Sequence, residues 1–209
     1  MPSSSHLNPE AMPFLPAIAA LPTLPDAALT CTLDMLFEPS ADLHALALPT
    51  MRTLSFESYG DLISTLRDQL LTIATAIDTD NDADADARKP LHSILASHPR
   101  LGEPKIATLS AQSAAEQAKL QGGDANEAGM LAALNREYEA RFPGLRYVVF
   151  VNGRSRGIVM EDMRRRIDRG DFHAEEKEAI EAMCDIAADR AAKLQKASLE
   201  ATVATAGRA

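Results

Sequence analysis

The chain has 209 residues and a mass of 22.5 kDa, room for one domain with a proper hydrophobic core and little more than loose ends. Its formal net charge of −9 and pI near 5.0 argue against nucleic acid or an anionic membrane surface as partner, because both select for Lys and Arg. Hydrophobic residues make up 46% but aromatics only 4%, with no Trp, so the core has to come from Leu, Ile, Val, Met and Ala, a palette that favours helices.

Residues 1–13 are rich in Ser and Pro without periodicity, and 200–209 are small and polar, so the folded unit is expected over 14–199 with flexible ends. The start lacks the basic and apolar stretches of a signal peptide, and no run of about 18 apolar residues occurs. The expectation is a soluble, intracellular protein. The C-terminal TAGRA does not match the peroxisomal S-K-L pattern, which points to the cytoplasm. Cys31 and Cys184 stand far apart with no CxxC, leaving both a reduced pair and a disulfide open.

Pro22 and Pro25 break the first apolar stretch, after which Ala27 to Phe37 is predicted as a short helix stopped before Pro39. Thr50 to Arg52 reads as a connector. From Ser58 to Ile77, Leu62, Ile63, Leu66, Leu70 and Ile73 recur at spacings that make one apolar helical stripe. Residues 78–89 (DTDNDADADARK) carry Asp at five alternate positions and no large apolar group, so they read as an acidic, solvated loop. A calcium loop is the sharper alternative, but the central Gly and terminal Glu of an EF-hand are missing.

A short helix over Pro90 to Ser97 is followed by His98-Pro99. Proline drives the residue before it out of the helical region, so His98 should project from a rigid, extended turn, with Gly102 allowing a close turn after it. Such a histidine is either structural or an acid/base candidate. His6, His44, His92 and His173 show no helical metal-site spacing, and no metal is expected. Ser110 or Ser113 then starts a helix to about Gln121. Ser113 and Glu116 have the spacing of a capping box, yet the same helix end groups a carboxylate, the Gln117 amide and unpaired backbone N–H groups, which also suits a polar ring.

Ala128 to Phe142 is the next helix, with Leu131, Leu134 and Tyr138 on its face. Residues 146–151 (RYVVFV) have strand composition but no partner strand, and the turn Asn152-Gly153 follows. Ile158 to Ile167 and Ala174 to Leu199 complete the pattern, with Arg164, Arg165 and Arg166 read as a solvated run. On the last helix Arg190 lies at the edge of the stripe Ile180, Met183, Cys184, Ala187, Ala191 and Leu194. There it can snorkel to water, pair with a carboxylate, or present a guanidinium to a bound anion, the local exception an acidic chain would need. The fold class is all-α, a single irregular helical bundle.

Taken together, SHPRLGEPK (97–105), SAAEQ (113–117), LAALNREYEARF (131–142), RYVVFVNGRSR (146–156) and IAADR (186–190), in that order, resemble the 2-oxo-4-hydroxy-4-carboxy-5-ureidoimidazoline (OHCU) decarboxylase family over the whole domain. The resemblance implies an all-α homodimer with no metal or organic cofactor that decarboxylates a ureidoimidazoline carboxylate to S-allantoin in urate degradation. It implies that His98 and Glu116 are catalytic. It also implies that Pro99, Ser113, Gln117, Arg190 and the backbone of Val148, Val149 and Phe150 face the substrate. Phe142-Pro143-Gly144-Leu145 is one residue longer than the family's pattern, which leaves the register at Val149 open by one. The alternative is a non-catalytic helical ligand-binding or interaction protein that kept the fold. If no metal takes part, turnover should persist in excess chelator; loss of activity that zinc or calcium restores would overturn that expectation.

Overall fold

A computed structural model describes residues 14–76, 82–102 and 125–206. Among these the chain forms a 3-10 turn over Ile18–Thr23 and seven α-helices: α1 (Asp26–Leu36), α2 (Ala41–Thr53), α3 (Tyr59–Ala76), α4 (Asp82–Ala96), α5 (Ala125–Arg141), α6 (Arg156–Arg169) and α7 (Phe172–Ala206). The described architecture is all-α, as the periodicity predicts. The expected N-terminal tail 1–13 lies outside the described residues. At the other end α7 runs past Leu199 to Ala206 as helix, where a loose tail is expected.

The core is the apolar stripe of α3 laid along that of α7. Leu62, Ile63, Leu66 and Leu70 are buried, as are Ile180, Met183, Cys184, Ala187 and Ala191 on the facing helix. Both stripes repeat at three and four residues, so each presents one continuous ridge, and burial removes it from water. The helices α1 and α2 close one side, tied by His44 Nε2 to Asp34 Oδ1 at 2.6 Å. The two cysteines are free thiols, and burial pushes Cys184 up to about 12, leaving it an inert part of the core.

Two expectations fail on the same physical point. Thr50 to Arg52 is the last turn of α2, not a connector, and 82–89 is the first half of α4, not a loop. Each helix carries an internal proline, Pro49 or Pro90. A proline removes one N–H bond and crowds one preceding carbonyl, a local penalty that flanking burial can exceed. In α2, Ser40 caps the start by accepting from Leu43 N at 3.3 Å, and Ala47, Thr50 and Met51 are buried. In α4, Leu91, Ile94 and Leu95 anchor the second half. The aspartates at 82, 84 and 86 fall near its N-terminus, where helix amides favour carboxylates, and the alternating alanines are strong helix formers.

After α5 the chain turns at Gly144 (φ 90°) and runs without helix or strand through 145–151. It turns again at Asn152 (φ 41°) and Gly153 (φ 77°) into α6, whose cap is Ser155, accepting from Ile158 N at 3.4 Å. The Arg164–Arg166 run splits. Arg164 and Arg165 are surface partners of Glu137 and Asp162. Arg166 is 3% exposed and grips the fully buried Glu175, with Nε at 2.8 and 3.1 Å from its two carboxylate oxygens. Tyr138 donates its hydroxyl to the same carboxylate, and the Arg166 guanidinium lies 4.7 Å over the Tyr147 ring. The periodic pattern places residue 166 on the inner face of α6, and a buried partner nine residues on makes that position tolerable.

Removing one member of a buried ion pair strands the other. Glu175→Ala should therefore lose about 3–5 kcal/mol in urea unfolding. Glu137→Ala, which breaks the exposed pair with Arg164, should leave the midpoint unchanged.

Candidate functional site

The turn that carries His98 is stapled from several sides. Helix α4 ends at Ala96, where Ser97 Oγ donates to the Ile94 carbonyl at 2.6 Å. The carbonyl of His98 accepts from Arg146 at 3.2 Å, and that of Leu101 accepts from Asn135 Nδ2 at 3.0 Å. Arg100 forks onto Glu139 of α5, with one arm at 2.9 Å. Gly102 has φ 78°, and a Cβ there would sit 2.7 Å from Leu131 Cδ2, so only glycine lets the turn approach α5 so closely. Proline 99, half-buried, stiffens the turn between these anchors.

Held this way, His98 is 5% exposed, and among the described residues neither ring nitrogen has a hydrogen-bond partner. Burial, with the positive charge of Arg190 as the second cause, lowers its pKa from 6.5 to about 3. The imidazole is therefore neutral at physiological pH, with one N–H to donate and one lone pair to accept. Buried polar atoms are nearly always paired, so two with no partner among the described residues make this turn a candidate site for a polar ligand.

Arg190 neither snorkels nor stands at the edge of its stripe: it is 1% exposed. Its guanidinium reaches the C-terminal end of α1, donating to the carbonyls of Phe37 at 3.1 Å and Leu36 at 3.4 Å and to Glu38 Oε1 at 3.0 Å. The last carbonyls of a helix lack partners and carry its negative end, so a buried cation fits there. Glu38 is a partner that sequence reasoning missed, since the two residues are 152 apart in the chain. The one available hint was a lone acid between Phe37 and Pro39 in an apolar context.

Of the backbone positions, Val148 and Phe150 have carbonyls that are already taken. Arg166 donates to Val148 O at 3.1 Å and Arg154 to Phe150 O. Val149 and Phe150 line a cleft of about 460 Å³ with Asn152, Arg154, Asp162 and Arg166, and neither His98 nor Arg190 belongs to its wall. The structure thus brings His98 and Arg190 into electrostatic reach, ties the 146–150 segment to the His98 turn through Arg146, and sets the cleft apart from both. Ser113, Glu116 and Gln117 lie outside the described residues. Among the described residues no group of three His, Cys, Asp or Glu could hold a metal ion, and no helix is long and apolar enough to cross a membrane.

A helical fold around a buried imidazole with no hydrogen-bond partner among the described residues makes a candidate site for a small polar molecule. The model of the OHCU decarboxylase family matches residues 22–192. The chain belongs to that family. It is a carboxy-lyase that acts on a small molecule, by a decarboxylation belonging to urate degradation. A search of curated proteins gives no match.

The lowered pKa has a thermodynamic consequence. Between about 3 and 6.5 the unfolded chain holds more proton on His98 than the folded protein does, so this group's contribution to stability is lost as pH falls through that window. His98→Gln should flatten the decline of the urea midpoint between about pH 7 and pH 4. Identical slopes for variant and wild type would show that the imidazole is not buried neutral.

Proposed function

We propose that the protein decarboxylates OHCU to S-allantoin with His98 as the acid/base group, without a cofactor, and as a homodimer. The observation that carries this reading is the buried His98 ring with both nitrogens open on a stapled turn. In the reaction the bond from the ring carbon to the carboxylate breaks and carbon dioxide leaves. The electron pair moves into the adjacent ring C=N, and one proton is then delivered to one face of the ring. The substrate supplies its own electron sink, so the protein has only to orient the carboxylate, engage the neighbouring hydroxyl and control the proton.

A neutral imidazole can accept the hydroxyl proton, and an arriving carboxylate partly offsets the Arg190 charge that holds the ring unprotonated. Arg190 supplies the positive potential that an anion needs in a chain of net charge −9. Glu116 and Gln117 are assigned by motif to the ureido and ring nitrogens, with Ser113 and Pro99 beside them and the Val148–Phe150 backbone lining the ring.

Circular dichroism at allantoin's absorption tests this while the substrate is generated in situ from urate. Wild type should give a rapid chiral signal, and His98→Ala should lose roughly 100-fold or more in kcat. Slow racemic product with wild type, variant and no enzyme alike would move the reading to a binding protein that kept the fold.

A further inference from the structure

The segment 145–151 has no strand partner among the described residues, and three of its carbonyls, those of Val148, Phe150 and Val151, are taken by arginines. Val148 and Phe150 stand two residues apart, and each carbonyl meets an arginine on the wall of the same cleft. Arg166 reaches Val148 O at 3.1 Å and Arg154 reaches Phe150 O, with Arg154 Nε also at 3.3 Å from Val151 O. The N–H and carbonyl of Val149, a residue 8% exposed, make no hydrogen bond among the described residues.

We propose that Arg166 and Arg154 are positioning residues for the decarboxylation, which take the alternate carbonyls of Val148 and Phe150 and so leave the Val149 peptide group to hydrogen-bond the substrate's ring. This rests on the reading that the 148–150 backbone faces the ligand, and it settles the register there on Val149. The assignment has independent geometric support. Arg166 cannot easily tilt, because Glu175 holds its Nε and its ring contact with Tyr147 fixes its plane. The far end of the segment is set by the Arg154 fork, and its near end by Arg146 on the His98 carbonyl. A shift of one residue would exchange the bound carbonyls for the open ones and turn both valines over.

The experiment compares the full chain with Arg166→Lys, Arg154→Met, Tyr138→Phe and His98→Ala, measuring kcat, KM and the enantiomeric purity of allantoin on substrate made in situ. A lysine keeps the charge beside Glu175 but cannot serve both its carboxylate and the Val148 carbonyl. Arg166→Lys should lower kcat/KM by roughly 100-fold, the cost of a misplaced contact of about 1 Å. Arg154→Met should act in the same direction, and both should release product of reduced chiral purity. Tyr138→Phe removes the hydroxyl bond to Glu175 and neither carbonyl contact, so it should lower the melting temperature and leave kcat/KM unchanged. If Arg166→Lys does not fold, Arg154→Met carries the comparison.

Wild-type kinetics and chirality in the folded arginine variants, with His98→Ala inactive, would overturn the positioning role and leave the His98 reading intact. An equal kinetic loss in Tyr138→Phe would also overturn it, by showing that loosening the buried cluster is enough. An active His98→Ala would overturn the site reading and this inference with it.

Discussion

A guanidinium that is almost wholly removed from water must be neutralised where it lies, and in this protein that requirement connects the fold to the site. Arg190 comes from the middle of the longest helix and ends among the terminal carbonyls of α1 and the carboxylate of Glu38. Stranding one charge of such a pair costs about 3–5 kcal/mol, so α1 has little choice about where it stops relative to α7. The same charge is close enough to His98 to disfavour its protonation. One buried cation thus ties two helices together and adds to the burial that keeps the His98 imidazole neutral.

Arg166 obeys the same rule at the other end of the helical layer. It is paired with Glu175, which also accepts the Tyr138 hydroxyl; it lies over the Tyr147 ring and is joined to the backbone at Val148. A third carboxylate, Glu176, is fully buried beside it in sequence and holds His92 of α4 at 2.7 Å. Adjacent positions on α7 therefore face two neighbours, Glu175 toward α6 and Glu176 toward α4. The net negative charge of the chain describes its surface, while the interior is organised by a few cations whose partners have been brought to them.

Much of this fold was legible in the sequence because it is written in local periodicity. The stripes of α3 and α7, the face of α5 and the turn at Asn152-Gly153 are all short-range signals, and they land where expected. Two segments differ from the reading: Thr50 to Arg52 is helical in α2, and 82–89, acidic and without a large apolar group, is carried as helix by the buried half of α4 that follows it. The site was half legible. His98 was singled out by its proline and Arg190 by its register, but neither the burial of the histidine nor the Glu38 partner could be read, since both depend on contacts between distant segments. Arg166 was hidden for a different reason: a run of three arginines looks uniform in composition, and only the helical angle separates the inner one from its exposed neighbours.

The empty hydrogen-bonding capacity of His98 also bears on why such chemistry suits this scaffold. Histidine general bases commonly carry a carboxylate partner that fixes the tautomer and supports the imidazolium. Here that partner is missing among the described residues, and a cation stands nearby instead. A ring in that setting is a poor base while the site is empty and becomes a better one only when a negative charge arrives. On the proposed reading a carboxylate substrate brings that charge with it, and because carbon dioxide leaves neutral the charge stays on the ring until a proton arrives. Proton affinity at His98 would then rise on binding and fall once the ring has taken up a proton. The burial that leaves the imidazole unpartnered would then be what couples its basicity to the progress of the reaction.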